Sequence, residues 1–150
     1  MVFALLVVAC FVAFFLTQHL KHTPTAVQLF KLTPRFSPTP SGHIKQERIS
    51  FRLARADEAT VSIVDSAGAE VARLLHDHPV QRYKQLSLRW SGRLGTAHGY
   101  ALVPGPNGRS AIQPRLTGAL APAGEYRVRV TLREQDRSVL SPRSFTLVRP

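Results

Sequence analysis

The chain holds one cysteine, Cys10, among 150 residues, so no intramolecular disulfide can form and cysteine-ligated zinc is excluded. It has no acidic residue before Glu47, whereas 20 Lys and Arg set against 9 Asp and Glu give a net charge of +11. It has no Gly-rich phosphate loop leading into a helix, and although Asp65, Ser91 and His98 are present, none sits in a nucleophile elbow. These absences argue against an enzyme, and neither a cofactor nor a small-molecule substrate is expected. Helical periodicity is nearly absent beyond residue 20. Strands must therefore build the core, from about a hundred residues, the size of one domain.

What is present begins with residues 2–16, VFALLVVACFVAFFL, an uncharged apolar run closed by Thr17-Gln18-His19. About twenty residues are needed to cross a bilayer, so a single transmembrane helix over residues 1–20 requires that residues 17–20 extend it, or that the true start lies upstream. No basic stretch precedes the run and no small-x-small cleavage site follows Ala9 or Ala13, which favours an uncleaved anchor over a secretory signal. Val7-Val8-Ala9-Cys10 makes a poor lipidation box because the apolar residues continue past it. Lys21, His22, Lys31 and Arg35 would hold the following flank inside, and basic residues upstream would reverse that orientation. Residues 21–42 carry Pro24, Pro34, Pro38 and Pro40 and read as a Pro-rich linker, within which Val27-Gln-Leu-Phe-Lys-Leu32 offers a first edge strand.

Residues 43–150 read as one all-β domain. Ile49, Phe51 and Leu53 alternate with Ser50, Arg52 and Ala54, and Val61 and Ile63 lie in a β-branched run closed by Ser66-Ala-Gly68. Val71, Leu74 and Leu75 suit a short strand or a turn of helix. Leu86, Leu88 and Trp90 alternate again before Ser91-Gly92, and Tyr126, Val128, Val130 and Leu132 share one face of a strand whose other face carries Arg127, Arg129, Thr131 and Arg133. Ser138-Val-Leu140 and Phe145-Thr-Leu147 end the pattern. Period-2 runs of this kind, punctuated by turns, predict an antiparallel two-layer sandwich. Trp90 is expected to plug the space between sheets with its indole N–H on a carbonyl, Tyr126 to pack on it, and Gly92 and Gly124 to sit where a Cβ is disfavoured. Residues 93–121 lose the alternation and read as a long insertion, mobile or folded back as a hairpin through Tyr100, Leu102 and Val103.

Phe36-Ser-Pro, Ile49-Ser-Phe-Arg-Leu53, Val61-Ser-Ile-Val-Asp65 with Gly68 and Val71, Leu88-Arg-Trp90-Ser-Gly92 and Pro122-Ala-Gly-Glu-Tyr126 together resemble the bacterial FlgD-type immunoglobulin-like domain, over most of residues 36–150. The resemblance implies a single Ig-like or fibronectin-III-like sandwich, here preceded by an N-terminal transmembrane helix. It further implies a non-catalytic module of the bacterial cell envelope with the β-domain outside the cytoplasm and envelope proteins as partners; the apolar run adds a single pass through the membrane, and the basic charge adds anionic wall polymers as partners. Flagellar hook assembly is the family's other setting. Where the family carries Asn-Gly-Asp-Gly after Phe-Ser-Pro, this chain has Thr39-Pro-Ser-Gly-His43, which removes the carboxylates that a cation would need.

Two charged groupings stand out. His76-Asp77-His78 would bring two ring nitrogens to one face of a strand, too few for a metal, and no metal site is expected. Arg89, Arg127, Arg129 and Arg133 would form a cationic stripe on a solvated sheet face if their strands are neighbours, a surface for wall polymer or lipid headgroups. Nucleic acid is disfavoured, because no aromatic side chain interleaves with these arginines.

Overall fold

The computed structural model describes residues 2–21, 26–38, 42 and 44–149. A helix, α1 (Val2–Lys21), comes first, followed by β1 (Val27–Leu32), β2 (Arg35–Phe36), β3 (Glu47–Leu53), β4 (Asp57–Asp65), β5 (Glu70–Val80) and β6 (Leu86–Trp90). The chain continues through β7 (Gly95–Thr96), β8 (Tyr100–Pro104), β9 (Ser110–Pro114), β10 (Gly124–Leu132), β11 (Arg137–Leu140) and β12 (Phe145–Leu147). One sheet runs β1-β3-β6-β9-β8; the other runs β2-β12-β10-β4-β5-β7, with β11 beside β10. The two-sheet, all-β architecture expected from the alternation is present.

The alternation also decides which side chains meet. On β3 the inward set is Glu47, Ile49, Phe51 and Leu53, and on β10 it is Tyr126, Val128, Val130 and Leu132, all buried. Antiparallel pairing of β10 with β4 sets Val128 beside Ile63 and Val130 beside Val61, so two rows of β-branched residues line one wall of the core.

Several expectations change in detail. The linker is not a free spacer throughout: β1 pairs with β3, and β2 runs parallel to β12, so residues 27–36 belong to both sheets. Residues 22–25, together with Thr39, Pro40, Ser41 and His43 of the altered cation motif, lie outside the described residues. The 93–121 stretch folds back as the β8–β9 hairpin, which joins the first sheet through a β6–β9 contact, while β7 borders the second. Val71, Leu74 and Leu75 lie in an 11-residue strand, not a helical turn.

α1 is 20 residues long. Its apolar run stops at Leu16, and among the described residues no helix is long and apolar enough to cross a membrane. At about 1.5 Å per residue the apolar run spans roughly 22 Å, against about 30 Å of hydrocarbon.

Asp57, at the start of β4, shows how loops are tied to this frame. Its carboxylate accepts the backbone N–H of Glu58 at 2.7 Å, Glu134 at 2.8 Å and Gln135 at 3.1 Å, which pins the β10–β11 turn. Burial raises its pKa, but the Glu134, Glu58 and Gln135 donors outweigh that and hold it below the ordinary aspartate value. The associated stability is present above that ordinary value and is lost as pH falls through the folded-state pKa. Asp57→Ala strands three backbone donors and is expected to cost about 3 kcal/mol in urea unfolding at pH 7. A loss under about 1 kcal/mol would show that water replaces the carboxylate.

Candidate functional site

Trp90 stands at the end of β6 and reaches across to the opposite sheet. Its ring lies 5.7 Å from Phe36, 5.6 Å from Tyr126 and 5.9 Å from Phe145, all contributed by the second sheet. Its Nε1–H donates to the Arg93 carbonyl at 2.9 Å, so the indole's one polar atom is satisfied. Tyr126 donates its hydroxyl proton to the Pro122 carbonyl at 2.5 Å, which fixes the chain as it enters β10. Gly92 takes φ 85°, and a Cβ there would come within 3.4 Å of Leu147. Gly124 opens β10 with φ 157°, a conformation that L side chains rarely adopt, although a Cβ there would meet no atom within 4 Å. Phe51, Val61, Ile63, Leu88, Val128 and Val130 are buried around this cluster. These residues are interior, and ligand chemistry must be sought elsewhere.

The arginine stripe does not assemble as the sequence suggested. Arg89 is on β6 in the first sheet, whereas Arg127, Arg129 and Arg133 lie on or just beyond β10 in the second. Adjacency of strands is what a single strand's alternation cannot supply. Arg89 instead donates to the Pro104 carbonyl at 3.0 Å and ties down the β8–β9 hairpin. The remaining face is interleaved with acids: Arg133 pairs with Glu58 at 3.1 Å and with Asp77 at 3.4 Å. Glu70 is held below its ordinary pKa first by its hydrogen bond with Arg73, and Arg129 adds to the effect. Arg133 is thus neutralised and Arg129 lies near Glu70, which weakens the field that this face offers to a polyanion.

His76, Asp77 and His78 separate along β5. His76 contacts the Asp77 carboxylate at 3.4 Å, while His78 turns its ring edge-on to Tyr100, with centroids 5.8 Å apart. Among the described residues no group of three or more His, Cys, Asp or Glu could hold a metal ion.

A different concavity combines charge with aromatic rings. It lies between residues 78–87, which carry the chain from β5 to β6, and the β8–β9 hairpin, and it has a volume of 730 Å³. A second cleft of 200 Å³ shares Tyr83, Gln85 and Arg109 with it, so the two form one groove. Lys84 and Arg109 line the first part, and Lys31 and Arg52 the second. No carboxylate is among the described residues lining either part.

The backbone is held in unusual conformations along this groove. Tyr83 has φ 59° and Leu29 has φ 50°, both bulky residues in the left-handed region, and Asp77, next to His78, has φ 44°. Such conformations cost on the order of 1–3 kcal/mol each and persist only where the surroundings over-determine them. Here Tyr83 donates its backbone N–H to the Leu53 carbonyl at 2.9 Å, and the Gln28/Lys31 register shift in the β1–β3 ladder brackets Leu29. Arg82 and Arg52 lie over the Tyr83 ring, at 4.6 and 5.6 Å from its centroid. Sequence reasoning missed the groove because its residues come from four separate segments; the signal available was the exposed aromatic-basic string Arg82-Tyr83-Lys84 in a connection.

No protein-family model and no curated protein matches this chain.

Proposed function

We propose that the chain is a non-catalytic interaction module of the bacterial envelope: one Ig-like sandwich of the FlgD type, displayed outside the cytoplasm and held at the membrane by α1. The observation that carries the anchoring is that Leu5, Leu6, Val7 and Val8, which together encircle a full helical turn, are all exposed large hydrophobics. A helix that is apolar on every side needs lipid or protein around it. The shortfall in apolar length is met if residues 17–21 complete the span with their polar end at headgroup depth, or if the bilayer thins at a cost of fractions of a kcal/mol per Å. Support for the Ig-like reading comes from the Trp90 plug, from the Tyr126 hydroxyl bonded back to Pro122, and from β2 running parallel to the last strand.

The test is carbonate extraction of membranes from cells expressing the full chain. The wild type is expected to stay in the pellet, and Val8→Arg/Phe11→Arg to move to the supernatant, since each arginine near mid-helix costs about 3 kcal/mol of insertion. Wild-type protein extracted by carbonate would end the anchor reading. An alkaline phosphatase fusion after Pro150 should be active; an inactive fusion of intact protein would place the sandwich on the cytoplasmic side.

A further inference from the structure

We propose that the groove between residues 78–87 and the β8–β9 hairpin binds an acidic polysaccharide, a polymer of carboxylate-bearing sugars. The proposal deepens the envelope-module reading, and rests on it only for where such a polymer would be met.

Lys31, Lys84 and Arg109 make no ion pair or side-chain hydrogen bond among the described residues; on the sheet face Arg73 and Arg133 are held by carboxylates, while Arg127 and Arg129 are unpaired there but share their face with those acids. The Nε–H of Arg52 is buried without a hydrogen-bond partner. A cleft with four cationic side chains and no lining carboxylate concentrates anions, and guanidinium forks match carboxylates in shape.

The choice among polyanions follows from the rest of the wall. Gln81, Gln85, Ser87 and Ser110 add neutral amides and hydroxyls, partners suited to sugar hydroxyl groups, while the exposed Leu102 presents apolar surface to ring C–H faces. Single-stranded nucleic acid would require open aromatic faces for its bases. Tyr83 instead carries guanidinium groups over its ring, and among the described residues no other exposed Phe, Tyr or Trp lines the groove. Of the stacked arginines, Arg52 lines the groove and is thereby preorganised to meet a carboxylate.

The experiment is titration of the full chain in detergent with polygalacturonate, with heparin, dextran and oligothymidylate as parallel probes. Polygalacturonate should bind in a salt-sensitive manner, and dextran should not. Lys84→Gln/Arg109→Gln, which alters two exposed side chains, should weaken binding at least about tenfold, while Arg127→Gln/Arg129→Gln, an equal loss of charge on the sheet face, should change it less than about twofold. Equal losses from the two pairs would mean that bulk charge alone is read, and would overturn the proposal. So would tighter binding of oligothymidylate, heparin binding without polygalacturonate binding, or no binding at all. Carbonate extraction from the same cells separates the two readings: a chain retained by membranes that ignores polygalacturonate removes only the groove, and one that binds the polymer yet is extracted removes only the anchor.

Discussion

Trp90→Ala should lower the stability of the sandwich by about 4 kcal/mol, the largest single-residue loss expected from any core position, read as a shifted urea midpoint. The indole is fully buried and touches three rings from the facing sheet, so truncation removes the contact that locks the layers together and leaves a void that neighbouring strands cannot close. It also leaves the Arg93 carbonyl without the donor it has at 2.9 Å. Small domains hold about 5–15 kcal/mol in total, so the variant is expected to lose a quarter or more of its stability. Trp90→Phe separates the two contributions. It keeps an aromatic ring among Phe36, Tyr126 and Phe145 but loses the hydrogen bond, and about half the damage is expected. A Trp90→Ala protein with the wild-type midpoint would mean that the layers are held from elsewhere, by the β-branched rows on β4 and β10.

The features legible in the sequence are those written along one strand. Tyr126 to Leu132, Ile49 to Leu53 and Leu86 to Trp90 alternate, and each alternation maps onto a strand with the apolar set buried. The Trp90 indole bond was foreseeable for the same reason, because a buried N–H must find an acceptor. What escaped depends on which strands lie side by side. Arg89 falls on the sheet opposite Arg127 because β6 pairs with β3 while β10 pairs with β4. Tyr100, Leu102 and Pro104 all face water on β8, so the hairpin lacks a buried rhythm and reads as loose loop. The groove draws on Lys31, Arg52, Lys84 and Arg109, residues whose proximity arises only when a bulged edge strand, a central strand, a connection and a hairpin are folded together. Left-handed backbone at a leucine or tyrosine is invisible to propensity, since it is imposed by tertiary contacts that override local preference.

Glu47 gives the second large effect, and it depends on pH. It sits on the inward face of β3, fully buried, opposite Trp90 in the β3–β6 ladder. One carboxyl oxygen accepts the Thr33 backbone N–H at 2.7 Å, and the other has no partner among the described residues. Burial pushes its pKa from 4.5 up to about 8, against the smaller downward pull of the Thr33 N–H. The folded state therefore keeps a proton that the unfolded chain releases above pH 4.5. Stability is unpenalised below that value and falls with rising pH until about 8, where the folded carboxyl also ionises. At about 1.4 kcal/mol per pH unit, the gap sets a ceiling of roughly 5 kcal/mol on the loss. Glu47→Gln keeps the oxygen that faces Thr33 and cannot titrate. Subtracting its urea-unfolding curve from that of the wild type at each pH cancels every other group, His78 included. The difference should be small at pH 4 and should grow in favour of glutamine by several kcal/mol at pH 8, on the order of the linkage ceiling. Parallel curves from pH 4 to 8 would mean that Glu47 is ionised inside the fold and holds a counter-charge or water at its second oxygen.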